Sequence, residues 1–280
     1  MDTLTALLDI TDKEFRKISD LVYSSFGINL TEKKKALVKG RLNKVVRQRG
    51  FTSFEQYYEA IQQDTKGEIL TELINHISTN HTFFFREQSH FEYLRDELFP
   101  ALFEQIDPDD LRIWCAGCAT GEEAYSLGIV LSEAAKKKYS FRGRIILATD
   151  ISVKALETAQ AGIYTPERIT AIPEQLRKKY LSKLPDGTYQ VKPELQELVL
   201  FRRLNFLSET YPFRHKFHFV FCRNVMIYFD TPTKDNLVRK LSNVTQENGL
   251  LFIGHSETLG REQKYYSYVK PAVYRKAAYG

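Results

Sequence analysis

The sequence has few of the features that mark exported, membrane-spanning or disulfide-rich proteins. Its 280 residues include only 3 cysteines, and no apolar run approaches the roughly 18 residues of a transmembrane helix. An odd number of cysteines, two of them three positions apart, predicts no disulfide framework and favours a reducing compartment. Residues 1–14 are acidic and contain no basic segment that leads into a long apolar one. We therefore expect a cytoplasmic protein that is neither exported nor inserted into a membrane.

Composition and length are those of a globular protein. Only 14 glycines and 9 prolines are present, and hydrophobic residues make up 43% of the chain, which excludes collagenous, low-complexity and disordered proteins. The chain is long enough for one large domain or for two unequal domains that each bury a core. We take two domains as the working prediction.

The excess of positive charge lies near the beginning of the sequence. Residues 1–50 hold 11 Lys/Arg against 6 Asp/Glu, whereas the other 230 residues hold 29 of each. Leucine and valine recur there at helical spacing, which predicts an amphipathic helix with a basic outer face at about 32–49. Two interpretations stay open. The helix is either a solvated surface of no special purpose or a docking surface for nucleic acid or an acidic protein.

The sequence pattern changes near residue 110. Helical spacing dominates residues 12–26, 32–49, 53–63 and 66–77. From residue 111 onward, helical stretches alternate with the short apolar runs LRIWCA, RIILATD, HFVFC and GLLFIG. This alternation predicts an α/β fold, with a parallel sheet and helices on both of its faces. We therefore predict a small all-helical domain at 1–85 and an α/β domain at 86–280.

A proline-containing interruption falls inside the α/β pattern, at about 163–203. It holds four prolines, a Pro-Asp-Gly turn and the short β-rich pieces TYQVK and LVLFRR. These features predict a helix and a small antiparallel β subdomain inserted in the α/β domain.

The first chemical signal is the turn Gly-Cys-Ala-Thr-Gly at 117–121, after the first predicted strand. Asp150 ends the next strand, where a carboxylate can accept both hydroxyls of a ribose. The dinucleotide pattern GxGxxG is absent. Glu122 and Glu123 would repel a pyrophosphate but not a ligand with a cationic amino acid end, which favours S-adenosylmethionine. A plain helix N-terminus capped by Thr120 and Glu123 is the alternative, and the two interpretations are compatible.

Five motifs then stand in order along the chain. They are NHTFFFRE at 80–87, TGEE at 120–123 with Tyr125 and Ser126 after it, ATDI at 148–151, FCRNVMIYF at 221–229 and GHSE at 254–257. With these motifs the sequence resembles the chemotaxis receptor methyltransferases, the CheR family, over nearly its whole length.

The resemblance implies an S-adenosylmethionine-dependent protein-glutamate O-methyltransferase that acts on the cytoplasmic helices of chemoreceptors and releases S-adenosylhomocysteine. Residues 86–280 would then form a Rossmann-like methyltransferase domain, and residues 1–85 would contact the receptor. The donor-binding residues that the resemblance implies are Asn80, Thr82, Arg86, Glu122, Asp150, Asn205, Phe206, Cys222, Arg223 and Asn224.

Side-chain chemistry suggests roles for several of these residues. Asp150 suits the ribose hydroxyls, Glu122 the methionine ammonium, and Asn205 the adenine edge. The acceptor glutamate, with a pKa of about 4.3, is already anionic at neutral pH. We therefore expect no proton-abstracting pair, and we predict that Arg86 and Tyr228 orient the acceptor carboxylate.

In this function the basic helix would bind the receptor, because receptor methylation helices are rich in glutamate. We expect it to guide the enzyme along them in a salt-sensitive manner. The residues predicted to make this contact are Lys33, Lys34, Lys35, Lys39, Arg41 and Lys44. We expect a monomer, and the compact turn at 183–189 resembles the shorter form in the family, which argues against tethering by a receptor C-terminal peptide.

Two other function classes stay open at this point. A nucleic acid methyltransferase would use the basic helix, but the sequence lacks the base-amino motif [DNS]PP[YF] and the Pro-Cys nucleophile for cytosine, so no nucleic acid partner is expected. A non-catalytic donor-binding scaffold is the other class. No metal is expected, because the CxxC at 115–118 has no second CxxC or HxxxH to complete a site.

Overall fold

The computed structural model describes residues 8–135, 139, 141, 143–260 and 264–277. Its first part is helical and consists of α1 (Asp12–Phe26), a 3-10 turn (Glu32–Lys34), α2 (Lys35–Gln48), α3 (Phe54–Gln63) and α4 (Glu68–Ile77). Local sequence sets the helix ends. Thr11 and Glu14 form a capping box at the start of α1, and Gly27 ends it in the left-handed conformation. The predicted helical character of this part is confirmed.

The four helices enclose one apolar core. Each helix places its apolar stripe inward, and the side chains of Phe15, Leu42, Phe54 and Ile74 are fully or almost fully buried there. Ile151, from the following α/β part, packs against the same core. The helical part is therefore packed against the rest of the chain.

The second part alternates strands and helices. Its elements are α5 (Ser89–Tyr93), a π-helical turn (Leu94–Leu98), α6 (Phe99–Phe103), a 3-10 turn (Pro108–Asp110), β1 (Ile113–Ala116), α7 (Glu122–Ala135), β2 (Ile146–Asp150), α8 (Val153–Ala161), β3 (Ile163–Tyr164), a 3-10 turn (Pro166–Ile169), α9 (Glu174–Tyr180), β4 (Leu181–Lys183), β5 (Tyr189–Val191), α10 (Pro193–Gln196), β6 (Val199–Arg203), β7 (Phe217–Cys222), a 3-10 turn (Met226–Tyr228), α11 (Thr231–Val244), β8 (Thr245–Ile253), β9 (Tyr266–Lys270) and β10 (Val273–Lys276).

These strands form a mixed sheet in the order β6-β2-β1-β7-β8-β10-β9. The first five strands of that order are parallel, and β10 is antiparallel to β8 and β9. Successive side chains of a strand point to opposite faces. In β1, Ile113 and Cys115 accordingly join the core of one face, whereas Trp114 and Ala116 join the core of the other. The predicted α/β fold is confirmed, but the sheet is mixed rather than wholly parallel, because β10 and β9 add an antiparallel edge.

The interruption after α8 forms a separate sheet of three antiparallel strands, in the order β3-β5-β4, with α9 beside it. The predicted small antiparallel subdomain is confirmed. One of its predicted pieces lies elsewhere, because LVLFRR supplies β6, which pairs in parallel with β2 at the edge of the large sheet. The C-terminal hairpin β9–β10 had no counterpart among the sequence predictions. In the described part of the chain, no helix is long and apolar enough to cross a membrane.

Candidate functional site

A cavity lies where the helical part meets the carboxyl ends of β1, β2 and β7. In open α/β sheets, ligands bind at this edge of the sheet. The cavity is lined by Phe26, Ile28, Ile77, Ser78, Thr79, Asn80, His81, Thr82, Arg86, Gly117, Ala119, Glu123, Asp150, Ile151, Asn205, Phe206, Arg223, Asn224, Val225, Tyr228 and Phe229. Both parts of the chain therefore contribute to one site.

The turn after β1 passes close to neighbouring segments and needs glycine to do so. Gly117 has φ +85°, and a Cβ atom there would lie 2.4 Å from Val225 Cγ2. Gly121 has φ +96°, and its Cβ would lie 2.8 Å from Ala159 Cβ. Gly117 also lines the cavity, so the turn can bring its backbone close to a ligand there.

Asp150, the last residue of β2, holds this turn in place. Its Oδ2 accepts a hydrogen bond from the Ala119 N–H at 2.8 Å, and its Oδ1 accepts one from the Ser152 N–H at 2.9 Å. Burial raises the pKa of the Asp150 carboxyl against the lowering effect of these backbone donors. An ionised carboxylate accepts about four hydrogen bonds, so Asp150 retains acceptor capacity for a ligand.

The two acidic residues that open α7 have different surroundings. Glu122 is fully buried and does not line the cavity; its carboxylate accepts from Thr120 Oγ1 at 2.7 Å and pairs with Arg168 of the inserted segment. Glu123 lines the cavity instead, where Arg223 Nη1 lies 2.8 Å from its Oε2. Adjacent helical residues point about 100° apart, so only one of the two can face the cavity. The structure thus places Glu122 away from the position that the sequence suggested.

Arg223 joins three segments behind the cavity. Its side chain is almost completely buried, and its Nη2 lies 3.1 Å from Glu87 Oε2 and donates to the carbonyl oxygen of Arg86. With the Glu123 pair, the guanidinium is surrounded by two carboxylates and one carbonyl. A buried charge needs such compensation, and the arrangement fixes the segment that presents Arg86.

The segment at 80–87 crosses from the helical part to the α/β part beside the cavity. Phe84 is fully buried against the edge of the Tyr164 ring, 5.1 Å between centroids, and this contact anchors the segment. Arg86 donates from Nη1 to the His81 carbonyl at 3.1 Å. Its guanidinium has five N–H donors, so others stay available to a carboxylate in the cavity.

The remaining predicted residues divide between cavity and core. Asn205 lines the cavity and donates from Nδ2 to the Ser25 carbonyl at 2.7 Å, whereas Cys222 is fully buried in β7 and does not line the cavity. Its side chain packs in the core because residues of a strand alternate between faces. The predicted residues that the cavity does bring together are Asn80, Thr82, Arg86, Asp150, Asn205, Phe206, Arg223, Asn224 and Tyr228.

Sequence reasoning did not place several lining residues in the site. The sequence gives Glu123 only a place in the acidic turn and a capping role beside Thr120, and Phe26, Ile28 and Ile77 lie at or just beyond the ends of α1 and α4. Apolar residues at helix ends carry no signal that separates a ligand wall from a core. Their part in the cavity depends on how the helical part packs on the sheet.

Comparison with known families covers nearly the whole chain. Residues 80–274 match the family described as "CheR methyltransferase, SAM binding domain", and residues 13–78 match "CheR methyltransferase, all-alpha domain". The chain belongs to the CheR methyltransferase family. The predicted family membership is confirmed.

Several chemotaxis methyltransferases are similar to this CheR chain over most of their length. A chemotaxis protein methyltransferase of Borreliella burgdorferi is 43% identical over 273 residues, which cover 96% of each chain. The chemotaxis protein methyltransferase of Escherichia coli K12 is 34% identical over 275 residues, 97% of this chain and 93% of the relative. A probable chemotaxis protein methyltransferase of Rhizobium etli is 36% identical over 251 residues, 88% of this chain and 92% of the relative.

The donor of this CheR protein is S-adenosylmethionine, as its matched SAM-binding domain indicates. The cavity fits such a molecule. Two carboxylates, those of Asp150 and Glu123, line it, and so do apolar side chains such as Ile151, Phe206 and Val225. The donor combines a cationic amino acid end and ribose hydroxyls with a flat aromatic base. The carboxylates suit the polar groups, and the apolar side chains suit the faces of the base.

Proposed function

We propose that this protein is a protein-glutamate O-methyltransferase that forms methyl esters on the cytoplasmic helices of chemoreceptors during chemotactic adaptation. The observation that supports the proposal is the placement of Arg86 and Tyr228 on the same cavity as the donor-type residue Asp150. CheR family membership supports the chemotactic setting.

Each polar lining residue has a role in this function. Asp150 accepts hydrogen bonds from the ribose hydroxyls, and Asn205 donates its second amide hydrogen to the adenine edge. Glu123 faces the ammonium of the donor, the role that sequence reasoning gave to Glu122, because Glu123 lines the cavity and Glu122 pairs with Arg168.

The chemistry requires alignment rather than proton transfer. The donor supplies a methyl group that its positively charged sulfur activates. A glutamate carboxylate is already ionised at neutral pH, so its oxygen forms the new O–C bond while the S–C bond breaks, and no proton moves. Arg86 and Tyr228 hold that carboxylate in line with the methyl group. Correct alignment alone contributes roughly 7–11 kcal/mol in favourable cases.

The receptor-binding surface is proposed to be the basic surface, defined by Lys33, Lys34, Lys35, Lys39, Arg41 and Lys44. Lys34 lies beside the cavity, with its Nζ 5.7 Å from the centroid of the Tyr228 ring. Lys35 and Lys39 form ion pairs with Asp12 and Asp9. Lys33 and Lys44 are exposed, and no described residue pairs with them. A glutamate-rich helix that docks on this surface would place one side chain near Tyr228.

The function is tested with labelled S-adenosylmethionine and a glutamate-rich cytoplasmic fragment of a chemoreceptor. Methyl esters release volatile methanol in mild alkali, whereas N-methyl and C-methyl products do not. We expect alkali-labile label on the receptor. Arg86→Ala should lower kcat about 100-fold because the acceptor loses its orienting cation.

Arg239→Ala is the matched control, because it makes the same substitution at an exposed arginine that does not line the cavity. This variant should retain wild-type kcat. Label that resists alkali, or transfer to RNA in place of the receptor, would contradict the proposed function. Donor binding without any transfer would favour a scaffold.

A further inference from the structure

The turn at 254–257 follows β8 and contacts the segment at 223–229. We name the segment at 223–229 the acceptor loop. Sequence analysis singled out this turn as GHSE, but neither the donor nor the acceptor role uses it. Glu257 is the residue that joins the two segments. Its Oε2 accepts hydrogen bonds from the Gly254 N–H at 2.6 Å and the Asn224 N–H at 2.8 Å, and its Oε1 accepts from the Ile227 N–H at 3.3 Å.

The acceptor loop has a conformation that needs such support. Asn224 has φ +57°, a left-handed conformation that non-glycine residues rarely adopt. The loop then forms the 3-10 turn Met226–Tyr228, and it contributes Asn224 and Tyr228 to the cavity. Strained backbone of this kind persists only where neighbouring groups hold it in place.

Close packing at Gly254 gives independent evidence for the fit. A Cβ atom at Gly254 would lie 2.3 Å from Asn224 Nδ2 and 3.0 Å from the Asn224 backbone nitrogen. The turn and the loop therefore touch where Asn224 takes its unusual conformation, and they do so with a residue that has no side chain.

We infer that Glu257 is a positioning residue for methyl transfer: its carboxylate fixes the backbone of the acceptor loop, and the loop in turn places Asn224 and Tyr228 in the cavity. Glu257 itself does not line the cavity. The inference rests on the proposed function for the identity of the acceptor, but the contact between carboxylate and loop is independent of the acceptor.

Both oxygens of Glu257 receive N–H donors, so glutamine is not an equivalent residue. In Glu257→Gln, the side-chain NH₂ group would face a backbone N–H and leave it without an acceptor. Since a displacement of about 1 Å near the reacting atoms costs about 100-fold in rate, we expect kcat of this variant to fall about 100-fold. The KM for the receptor should change less than threefold, because the docking surface is untouched.

The experiment measures kcat and KM of wild type, Glu257→Gln and Ser256→Ala with the receptor fragment, and records the amide NMR resonances of Asn224 and Ile227. Ser256 is the exposed neighbour of Glu257 and does not line the cavity, so Ser256→Ala should have wild-type kcat. Glu257→Gln should shift both amide resonances and lower kcat. Wild-type kcat in Glu257→Gln would overturn the inference, whether or not the resonances shift.

Gly254→Ala provides a second route if Glu257→Gln does not fold, because its added methyl group displaces Asn224 and leaves the carboxylate intact. It should also lower kcat with little change in KM, and wild-type kcat in this variant would overturn the inference. Failure of the proposed function has a different signature, since wild-type protein would then transfer no methyl to the receptor although Glu257→Gln still shifted the two amide resonances.

Discussion

His90 couples the stability of the protein to pH through its burial. Its side chain packs beside the edge of Phe252, with ring centroids 5.4 Å apart, and is only 2% exposed. Burial, assisted by the nearby Arg223 guanidinium, lowers the pKa of His90 to about 3. The native protein therefore keeps this imidazole neutral at pH values where an unfolded chain binds a proton.

We predict that His90 makes stability fall with acidification. At pH values between the ordinary pKa of about 6.5 and the native pKa of His90, the unfolded state binds one more proton than the native state. The free energy of unfolding therefore falls by about 1.4 kcal/mol for each unit by which the pH is lowered. His90→Leu should remove this part of the slope in urea unfolding at pH 4–6.5. His215→Leu, at an exposed histidine, is the control that should keep the wild-type slope. Equal slopes in wild type and His90→Leu would contradict the prediction.

Single residues of the cavity were predictable from sequence where the end of a strand fixes their position. Asp150 ends β2, so its place at the carboxyl edge followed from the strand pattern alone. The strand pattern could not decide whether Glu122 or Glu123 faces the cavity. That choice depends on Arg168, which lies 46 residues from Glu122 in the inserted segment. Contacts across such distances leave no trace in local spacing.

At the scale of an element, the end of α1 is fitted to the α/β part. Gly27 and Gly50 both have positive φ, +74° and +80°. A Cβ at Gly27 would lie 2.8 Å from Thr233 Cγ2 and 3.0 Å from Leu207 Cδ2, whereas nothing lies within 4 Å of a Cβ at Gly50. At Gly50 only the backbone conformation favours glycine, whereas at Gly27 both the backbone conformation and the close packing favour it.

Alanine at each glycine should reveal this difference in stability. Gly50→Ala should lower the free energy of unfolding by about 1–2 kcal/mol, the cost of a left-handed conformation for a residue with a Cβ. Gly27→Ala should cost about 1–3 kcal/mol more, because the methyl group overpacks the contact. Urea unfolding measures both. Equal costs would mean that α1 is not tightly fitted at this point.

The basic surface makes a second prediction at this scale. Reversal of its two unpaired lysines, in Lys33→Glu/Lys44→Glu, should raise the KM for the receptor about tenfold at low salt and less at high salt, because exposed charges steer association and are screened. Donor affinity, measured by calorimetry, should not change. Lys183→Glu/Lys216→Glu makes the same change of net charge at exposed lysines outside this surface. Equal effects of the two pairs would argue against a specific docking surface.

Elements with regular patterns were predictable, and edge elements were predictable only in part. The strands β1, β2 and β7 and the second half of β8 come from mainly apolar runs because they are buried within the sheet. The hairpin β9–β10 and the edge strand β6 alternate or end in polar residues. The hairpin was therefore not predicted. The strand β6 was predicted as a β-rich piece of the inserted subdomain, and only its pairing with β2 places it in the large sheet.

At the scale of the whole molecule, polar contacts join the helical part to the α/β part on several sides of the cavity. The Asn29 N–H donates to the Tyr228 carbonyl at 2.9 Å, Tyr23 OH donates to Asp230 Oδ2 at 2.8 Å, and Ser152 Oγ donates to Asn75 Oδ1 at 2.9 Å. A ligand in the cavity would touch both parts. Its binding energy should therefore stabilise the whole chain rather than one half.

We predict that S-adenosylhomocysteine at 100 times its Kd raises the free energy of unfolding by about 2.7 kcal/mol. Far-UV circular dichroism, which follows all helices, and the fluorescence of Trp114, which is buried in β1, should report the same increase. Asp150→Ala should reduce the increase at the same ligand concentration, because it weakens binding. An increase seen by only one of the two probes would show that the ligand stabilises one part alone.

Arg168 also limits how the inserted subdomain can be exchanged. It reaches from the 3-10 turn after β3 to Glu122, and Tyr164 OH donates to the Thr120 carbonyl at 2.7 Å. The inserted subdomain thus supplies the cation that pairs with the Glu122 carboxylate, which is buried beside the turn at 117–121. A chimera that carries another insertion without a cation at this position would leave the Glu122 carboxylate buried without a counter-charge. Subdomain swaps between relatives must therefore transfer Arg168 and Glu122 as a pair.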